Sequence, residues 1–179
     1  PHLCRFNERI RIANNLIDDE ALLKILDEVE KLNQNTPITF YEITTVAAFM
    51  AFARIPADLL ILETGLGGRL DSTNVIENPL ASIITPIERD HEHFLGSELT
   101  QIAGEKAGII KKNVPVISAS QTKEVEETLT NKAREMNAPI FFEGADFIWE
   151  QTSTGEVKLE CKNTVFTLPK PSPIGPHQI

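Results

Sequence analysis

Apolar residues first recur at helical spacing at Ala21, Leu22, Ile25, Leu26, Val29 and Leu32. That spacing predicts an amphipathic helix, opened by Asp18 and Asp19, whose charges suit a helix N-terminus. Thr39 stands three residues before Glu42, the spacing of a capping box. The Ala-rich run 43–53 continues from it as a second helix with little polar surface, expected to be largely buried. The period then changes. Residues 59–62 form a short, wholly apolar run closed by Glu63 and then by glycines, and residues 82–87, 114–118 and 139–142 look alike. Such strands, separated by helical stretches at roughly 99–110 and 123–137, predict an α/β fold with a mostly parallel sheet covered by helices on both faces. In sheets of this kind ligands bind at the carboxyl ends of the strands. From about residue 146 the pattern shortens to alternating segments (147–149, 157–161 and 165–168), with a turn at 153–155. These read as a small antiparallel β appendage, followed by a Pro-rich connector.

Composition narrows the function class. Hydrophobic residues make up 41% and charged residues 24% of the 179, the balance of an ordinary globular protein. The net charge of −9, with both signs mixed along the chain, argues against a nucleic-acid or anionic-membrane surface. A small anionic ligand, which needs only a local basic pocket, stays open. Cys4 and Cys161 match no metal spacing and read as free thiols in a reducing compartment. No apolar run approaches the ~18 residues of a membrane span, and no signal peptide is visible, so a cytoplasmic location is expected. The chain opens on Pro1 and closes on Gly175, Pro176, His177, Gln178 and Ile179 like a motif interrupted, so both ends are read as cuts.

Three stretches carry candidate chemistry. Residues 63–74 combine Gly65, Gly67 and Gly68 with Glu63, Arg69, Asp71 and Asn74. Glycines permit close backbone approach to a ligand. The spacing is neither a dinucleotide fingerprint, because position 70 is Leu, nor a Walker A loop, because no Gly-Lys-Ser/Thr follows. A structural turn fits it as well as a site does; the crowding of polar side chains favours a site. Asp90, His91, Glu92 and His93 could hold a divalent cation or move protons, yet such clusters are also common on solvated loops and make no zinc signature. Lys106 sits on a predicted helix between small residues that leave room beside it. Its ordinary reading is an exposed salt-bridging lysine.

Taken in order, residues 1–10, 62–74, Asp90 with His91, and 105–109 closely resemble folylpolyglutamate synthase and dihydrofolate synthase, of the Mur ligase superfamily. The resemblance runs the length of the chain. It implies an incomplete central ATPase domain at 1–145, a β appendage at 146–169 and a connector at 170–179 towards a further domain. It also implies an ATP-dependent ligase that adds L-glutamate to dihydropteroate, to folates or to both, through an acyl phosphate. Two anions must meet in such a site, so cations are needed. Glu63 and His91 would ligate magnesium at the ATP phosphates, and Lys106, as a carbamate, a second magnesium. Asp71, with Ser72, Thr39 and Tyr41 near it, would meet the pterin, on which an aromatic ring could stack. Arg9 would meet a carboxylate, and the loop 1–9 would close over substrate. Asn74, His177 and Gln178 would approach the nucleotide. The family's phosphate loop and the serine before Pro1 would lie upstream, and the piece alone is expected to be inactive. Glu88 and Glu92 depart from the more neutral residues expected there. The complete protein would be a cytoplasmic monomer with no nucleic-acid or membrane partner. The alternatives are a cell-wall Mur ligase, a non-catalytic folate-binding module, and a metal-dependent hydrolase using Glu63, Asp90 and His91.

Overall fold

The computed structural model describes residues 2–171, so His177 and Gln178 lie outside the described residues. The chain divides into two compact units. One holds the chain up to Leu66 together with Asp71–Val75; the other holds Gly67–Leu70 and the chain from Ile76 on.

The first unit begins with a 3-10 turn, Phe6–Arg9, and a minimal hairpin of β1 (Arg11–Ile12) and β2 (Asn15–Leu16). Its two central residues, Ala13 and Asn14, both take positive φ, as a type I′ turn demands. Helix α1 (Asp19–Asn33) is capped by Asp18, whose carboxylate accepts the Ala21 N–H at 2.8 Å. Helix α2 (Phe40–Arg54) opens with the expected capping box between Thr39 and Glu42. The two helices share a core of Ile10, Ile17, Leu22, Ile25, Val29, Ala47 and Ala51. Each large aliphatic side chain there contributes about 1.5–3 kcal/mol. Burial of α2 is narrower than its apolar sequence suggests. Its inner face is made of Thr44, Ala47 and Ala51, small enough for close packing, while Phe40 is 65% exposed and Val46 also faces outward.

The apolar run 59–62 is not a strand. No β-partner takes up its backbone among the described residues, and Leu59 and Ile61 are 62% and 83% exposed. An apolar sequence becomes a strand only where a neighbouring backbone completes its hydrogen bonds.

The second unit carries the parallel sheet, with β3 (Ser82–Ile84), β4 (Val116–Ser118) and β5 (Ile140–Phe142) side by side in that order. Helices α4 (Leu99–Ala107) and α5 (Lys123–Glu135) connect them. Ile84 and Val116 face Ile102, Ala103, Ala107, Val125 and Leu129 in the core. Within this unit the opposite sheet face, which carries Ile83 and Ile117, has no such cover, and Ile83 is 67% exposed. A short helix that the sequence pattern did not predict, α3 (Glu92–Leu95), precedes α4. The expected antiparallel sheet follows as β6 (Phe147–Gln151), β7 (Val157–Cys161) and β8 (Thr164–Leu168). Gly155 turns the first hairpin with φ 88°. Both cysteines are free thiols. Among the described residues no helix is long and apolar enough to cross a membrane.

Candidate functional site

In the first unit the glycine-containing loop is built around Asp71. Its Oδ2 accepts the backbone N–H of Gly65 at 2.9 Å and of Leu66 at 3.0 Å. Its Oδ1 accepts the Thr73 N–H at 2.9 Å and the Thr73 hydroxyl at 2.6 Å. The Asp71 carbonyl accepts the Asn74 N–H at 2.9 Å. Ser72 Oγ donates to Thr45 Oγ1 at 3.1 Å, which ties the loop to α2. Gly65 lies on the Tyr41 ring so closely that a Cβ there would stand 2.4 Å from Tyr41 Cζ. Tyr41 is half-buried, and burial, then the negative charges of Asp71 and Glu63, hold its phenol above the ordinary value. Tyr41, Asp71 and Ser72 are therefore together. Beside them runs an open groove of about 420 Å³ lined by Ile38, Glu42, Thr45, Phe49, Ser72 and Val75.

Two other expected acceptor-site residues are engaged elsewhere. The Thr39 hydroxyl donates to Glu42 Oε2 at 2.7 Å and accepts the Glu42 N–H at 3.2 Å, so it acts as the cap of α2. Arg9 donates from Nε to His2 Nδ1 at 2.8 Å and stacks over Phe6. The loop that contains it is wound around Glu8, whose carboxylate accepts the N–H groups of Leu3, Cys4 and Arg5. Those bonds hold the Glu8 carboxyl below its ordinary range. Glu63 also belongs to this unit and is exposed.

In the second unit, residues 67–70 are pinned to the C-terminal end of α4. The Arg69 N–H donates to the Glu105 carbonyl at 2.9 Å, beside the Gly108 N–H that closes the helix end on the same oxygen at 3.2 Å. Arg69 Nη2 and Nε also donate to Glu105 Oε1, at 2.9 and 3.2 Å. Gly68 and Gly108 are glycine for lack of space: a Cβ at Gly108 would stand 2.3 Å from Arg69 Cβ, and one at Gly68 2.9 Å from the Glu105 carbonyl. Lys106 follows Glu105 directly and is half-buried, and among the described residues it forms no ion pair. Its small neighbours have separate causes. Ala103 and Ala107 pack in the core, Gly108 makes way for Arg69, and only Gly104 opens onto free space.

His91 is exposed beside Asp90, with Nε2 3.6 Å from Asp90 Oδ2 and its own N–H donating to Asp90 Oδ1 at 2.7 Å. It takes φ 51°, a left-handed conformation that histidine tolerates better than most residues. The strand-end segment leading to it is held by Gln121, which accepts the Ile87 N–H and donates to the Thr85 carbonyl, each at 3.0 Å. Neither Gln121 nor the Arg69–Glu105 pair was legible as a partner in the sequence, since their contacts span 34 to 36 residues. Among the described residues no three His, Cys, Asp or Glu side chains gather. A closed protein cage for a metal is thus not formed by them.

The Bacillus subtilis dihydrofolate synthase/folylpolyglutamate synthase is 42% identical over 147 residues, which cover 78% of this chain and 34% of that protein. Escherichia coli FolC solved in complex with DHPP and ADP matches 99% of this chain with a TM-score of 0.87 and 29% identity, over 42% of its own length. In sequence and fold, the chain belongs to the folylpolyglutamate synthase/dihydrofolate synthase family. A further solved member, a bifunctional folylpolyglutamate synthase/dihydrofolate synthase with Mn, AMPPNP and L-glutamate bound, matches 93% of the chain at a TM-score of 0.81 and 28% identity, over 40% of its own length. The chain spans about a third of the length of the Bacillus member it matches. No family model matches it.

Proposed function

We propose that this chain supplies the central part of an ATP-dependent ligase that joins L-glutamate to the carboxyl group of dihydropteroate or of a folate. The observation that carries this reading is the likeness, over 99% of the chain, to a family member solved with DHPP and ADP. In the reaction, an acceptor carboxylate oxygen attacks the γ-phosphorus of ATP and ADP leaves. The glutamate amine then attacks the acyl carbon, phosphate leaves with that oxygen, and the amine sheds a proton. A cytoplasmic monomer is the expected form.

Asp71, Ser72 and Tyr41 form the part of the acceptor site that the geometry supports best, because the Asp71 carboxylate holds the loop that rests on Tyr41, and Ser72 in that loop lines an open groove. Thr39 serves that wall as the cap that starts α2. Arg9 would have to leave His2 to meet an acceptor carboxylate. Asn74, with His177 and Gln178, remains the proposed nucleotide contact. Magnesium is the proposed metal, in two sites, with Glu63 and His91 as proposed ligands at the first and a carbamylated Lys106 at the second. The donor set suits a hard ion that keeps waters and takes phosphate oxygens, which needs few protein ligands at each centre. Such an ion would neutralise charge between the phosphates and the acceptor carboxylate. Lys106 is open to this role in one respect: no carboxylate pairs with it among the described residues.

The test uses the full-length gene product with ATP, magnesium and L-glutamate, and follows ADP release with dihydropteroate or a reduced folate as acceptor. Glutamate-dependent release with both acceptors supports a bifunctional ligase, and release with the folate alone restricts it to polyglutamylation. Release without glutamate favours a hydrolase. No release with either acceptor overturns the folate reading in favour of a cell-wall ligase or a non-catalytic module.

A further inference from the structure

We infer that Gln121 is a positioning residue for His91, because its side-chain amide extends the parallel sheet past the end of β3. This rests on the proposed role of His91 at the metal. The paired strands end where Ile84 faces Ser118, and the Ala119 N–H still donates to the Ile84 carbonyl at 2.9 Å. One step further, the backbone of residues 85–87 meets the Gln121 side chain. Gln121 Nε2 donates to the Thr85 carbonyl and Oε1 accepts the Ile87 N–H, each at 3.0 Å. In a parallel ladder a residue bonds the carbonyl before, and the N–H after, the residue it faces on the next strand. The Gln121 amide therefore stands opposite Pro86 as a peptide group of β4 would. Pro86 has no N–H to give, and this pattern asks for none.

A carboxamide suits this place because it carries an acceptor and two donors. Flipped, it would set its NH2 against the Ile87 N–H and its oxygen against the Thr85 carbonyl, so the two partners fix its orientation. Nε2 also donates to Ser118 Oγ at 3.2 Å, and that hydroxyl, on a fully buried residue, donates to the Ala119 carbonyl at 2.9 Å. Gln121 is thus held by the core side of β4, and Ile87 packs in the same core. His91 follows four residues later. Its carbonyl accepts the N–H groups of Phe94 and Leu95, at 2.8 and 3.0 Å, in the first turn of α3. Between these two anchors lie only Glu88, Arg89 and Asp90. Where the imidazole stands is set from both ends, and a ligand held out of place weakens metal binding.

The test uses the full-length product with Mn2+ and AMPPNP as the probe, bound Mn2+ being read by electron paramagnetic resonance. Gln121→Met keeps the length of the side chain and removes its acceptor and donors. Gln121→Asn keeps the amide on a shorter stem. Both should raise amide exchange at Ile87 and weaken Mn2+ binding, each about three- to tenfold, the scale set by neutral hydrogen bonds. A role in folding alone lowers the melting point and leaves the Mn2+ affinity of the folded protein unchanged. His91→Ala should weaken Mn2+ binding by itself, and Gln121→Met should then add nothing, because it acts through that imidazole. Equal losses from Gln121→Met with and without His91, or unchanged Mn2+ affinity in both Gln121 variants, overturn the inference. Wild-type protein that binds no Mn2+ with the nucleotide overturns the metal reading, and the inference with it.

Discussion

Two glycines on one helix should respond to the same substitution with opposite signs. Gly104 lies inside α4, and a Cβ built on it meets nothing within 4 Å. Gly108 caps that helix with φ −61° and ψ −12°, a conformation alanine adopts freely. Backbone entropy alone would therefore favour alanine at both positions, by about 0.5–1 kcal/mol. At Gly108 the new methyl would stand 2.3 Å from Arg69 Cβ, 2.5 Å from Arg69 Cα and 2.9 Å from Arg69 N. Two of those atoms are backbone, so no rotamer change relieves the clash. Overpacking of this kind costs about 1–3 kcal/mol. Moving the loop away also weakens the Arg69 N–H bond to Glu105, at about 0.5–1.5 kcal/mol. The Arg69–Glu105 ion pair adds little, since the arginine is more than half exposed. The net expectation is a loss of about 2 kcal/mol for Gly108→Ala. That corresponds to a melting point roughly 4–8 °C lower, against a rise of roughly 1–4 °C for Gly104→Ala. Parallel thermal and urea unfolding of the two variants, followed by far-UV circular dichroism, measures the difference. Gly108→Ala at or above wild-type stability would refute the claim that residues 67–70 press on the end of α4.

Three further outcomes are expected. Tyr41 is the only tyrosine of the chain, so its phenolate absorbance near 295 nm should titrate above the ordinary ~10 in the folded chain and fall back in urea. Because its folded value is raised, this contribution to stability is full below the unfolded value and is lost as pH rises through the folded one. Asp71→Asn should lower the folded midpoint, and an unchanged midpoint in urea would refute the burial argument. Thr39→Ala should cost about 1 kcal/mol as a lost helix cap, read as a shift in urea midpoint. Glu42 is held below its ordinary 4.5 by the Thr39 hydroxyl and then the Thr39 backbone, so its contribution is present above that value and lost as pH falls through the lowered one. The difference between wild type and Thr39→Ala should shrink in acid below pH 4.5, and a gap that widens there would count against the reciprocal cap. Lys106→Ala should abolish turnover of the full-length product; full turnover without an added carboxylate would remove the proposed role of that lysine.

The local grammar of the chain was legible because it depends on near neighbours. Asp18 before α1 and Thr39 three residues ahead of Glu42 announce caps whose bonds span three residues. The alternating runs after residue 146 pair as read, because each strand finds its partner across a short turn. Long-range matters were not legible. Residues 59–62 have the composition of a strand, yet composition cannot supply the backbone that a strand must bond. The Arg69–Glu105 clamp joins residues 36 apart, and the sequence offers only two charged residues in two separate motifs. Asp71 shows the limit most clearly. Its carboxylate accepts the N–H groups of Gly65, Leu66 and Thr73, and a sequence does not announce such contacts within a loop.

The most direct test of the ligase account follows one oxygen atom. The full-length product would be given an acceptor whose carboxyl group carries 18O, with ATP, magnesium and L-glutamate, and the released phosphate analysed by mass spectrometry. Transfer through an acyl phosphate predicts one labelled oxygen in phosphate for each amide formed. Unlabelled phosphate accompanying amide formation would contradict it.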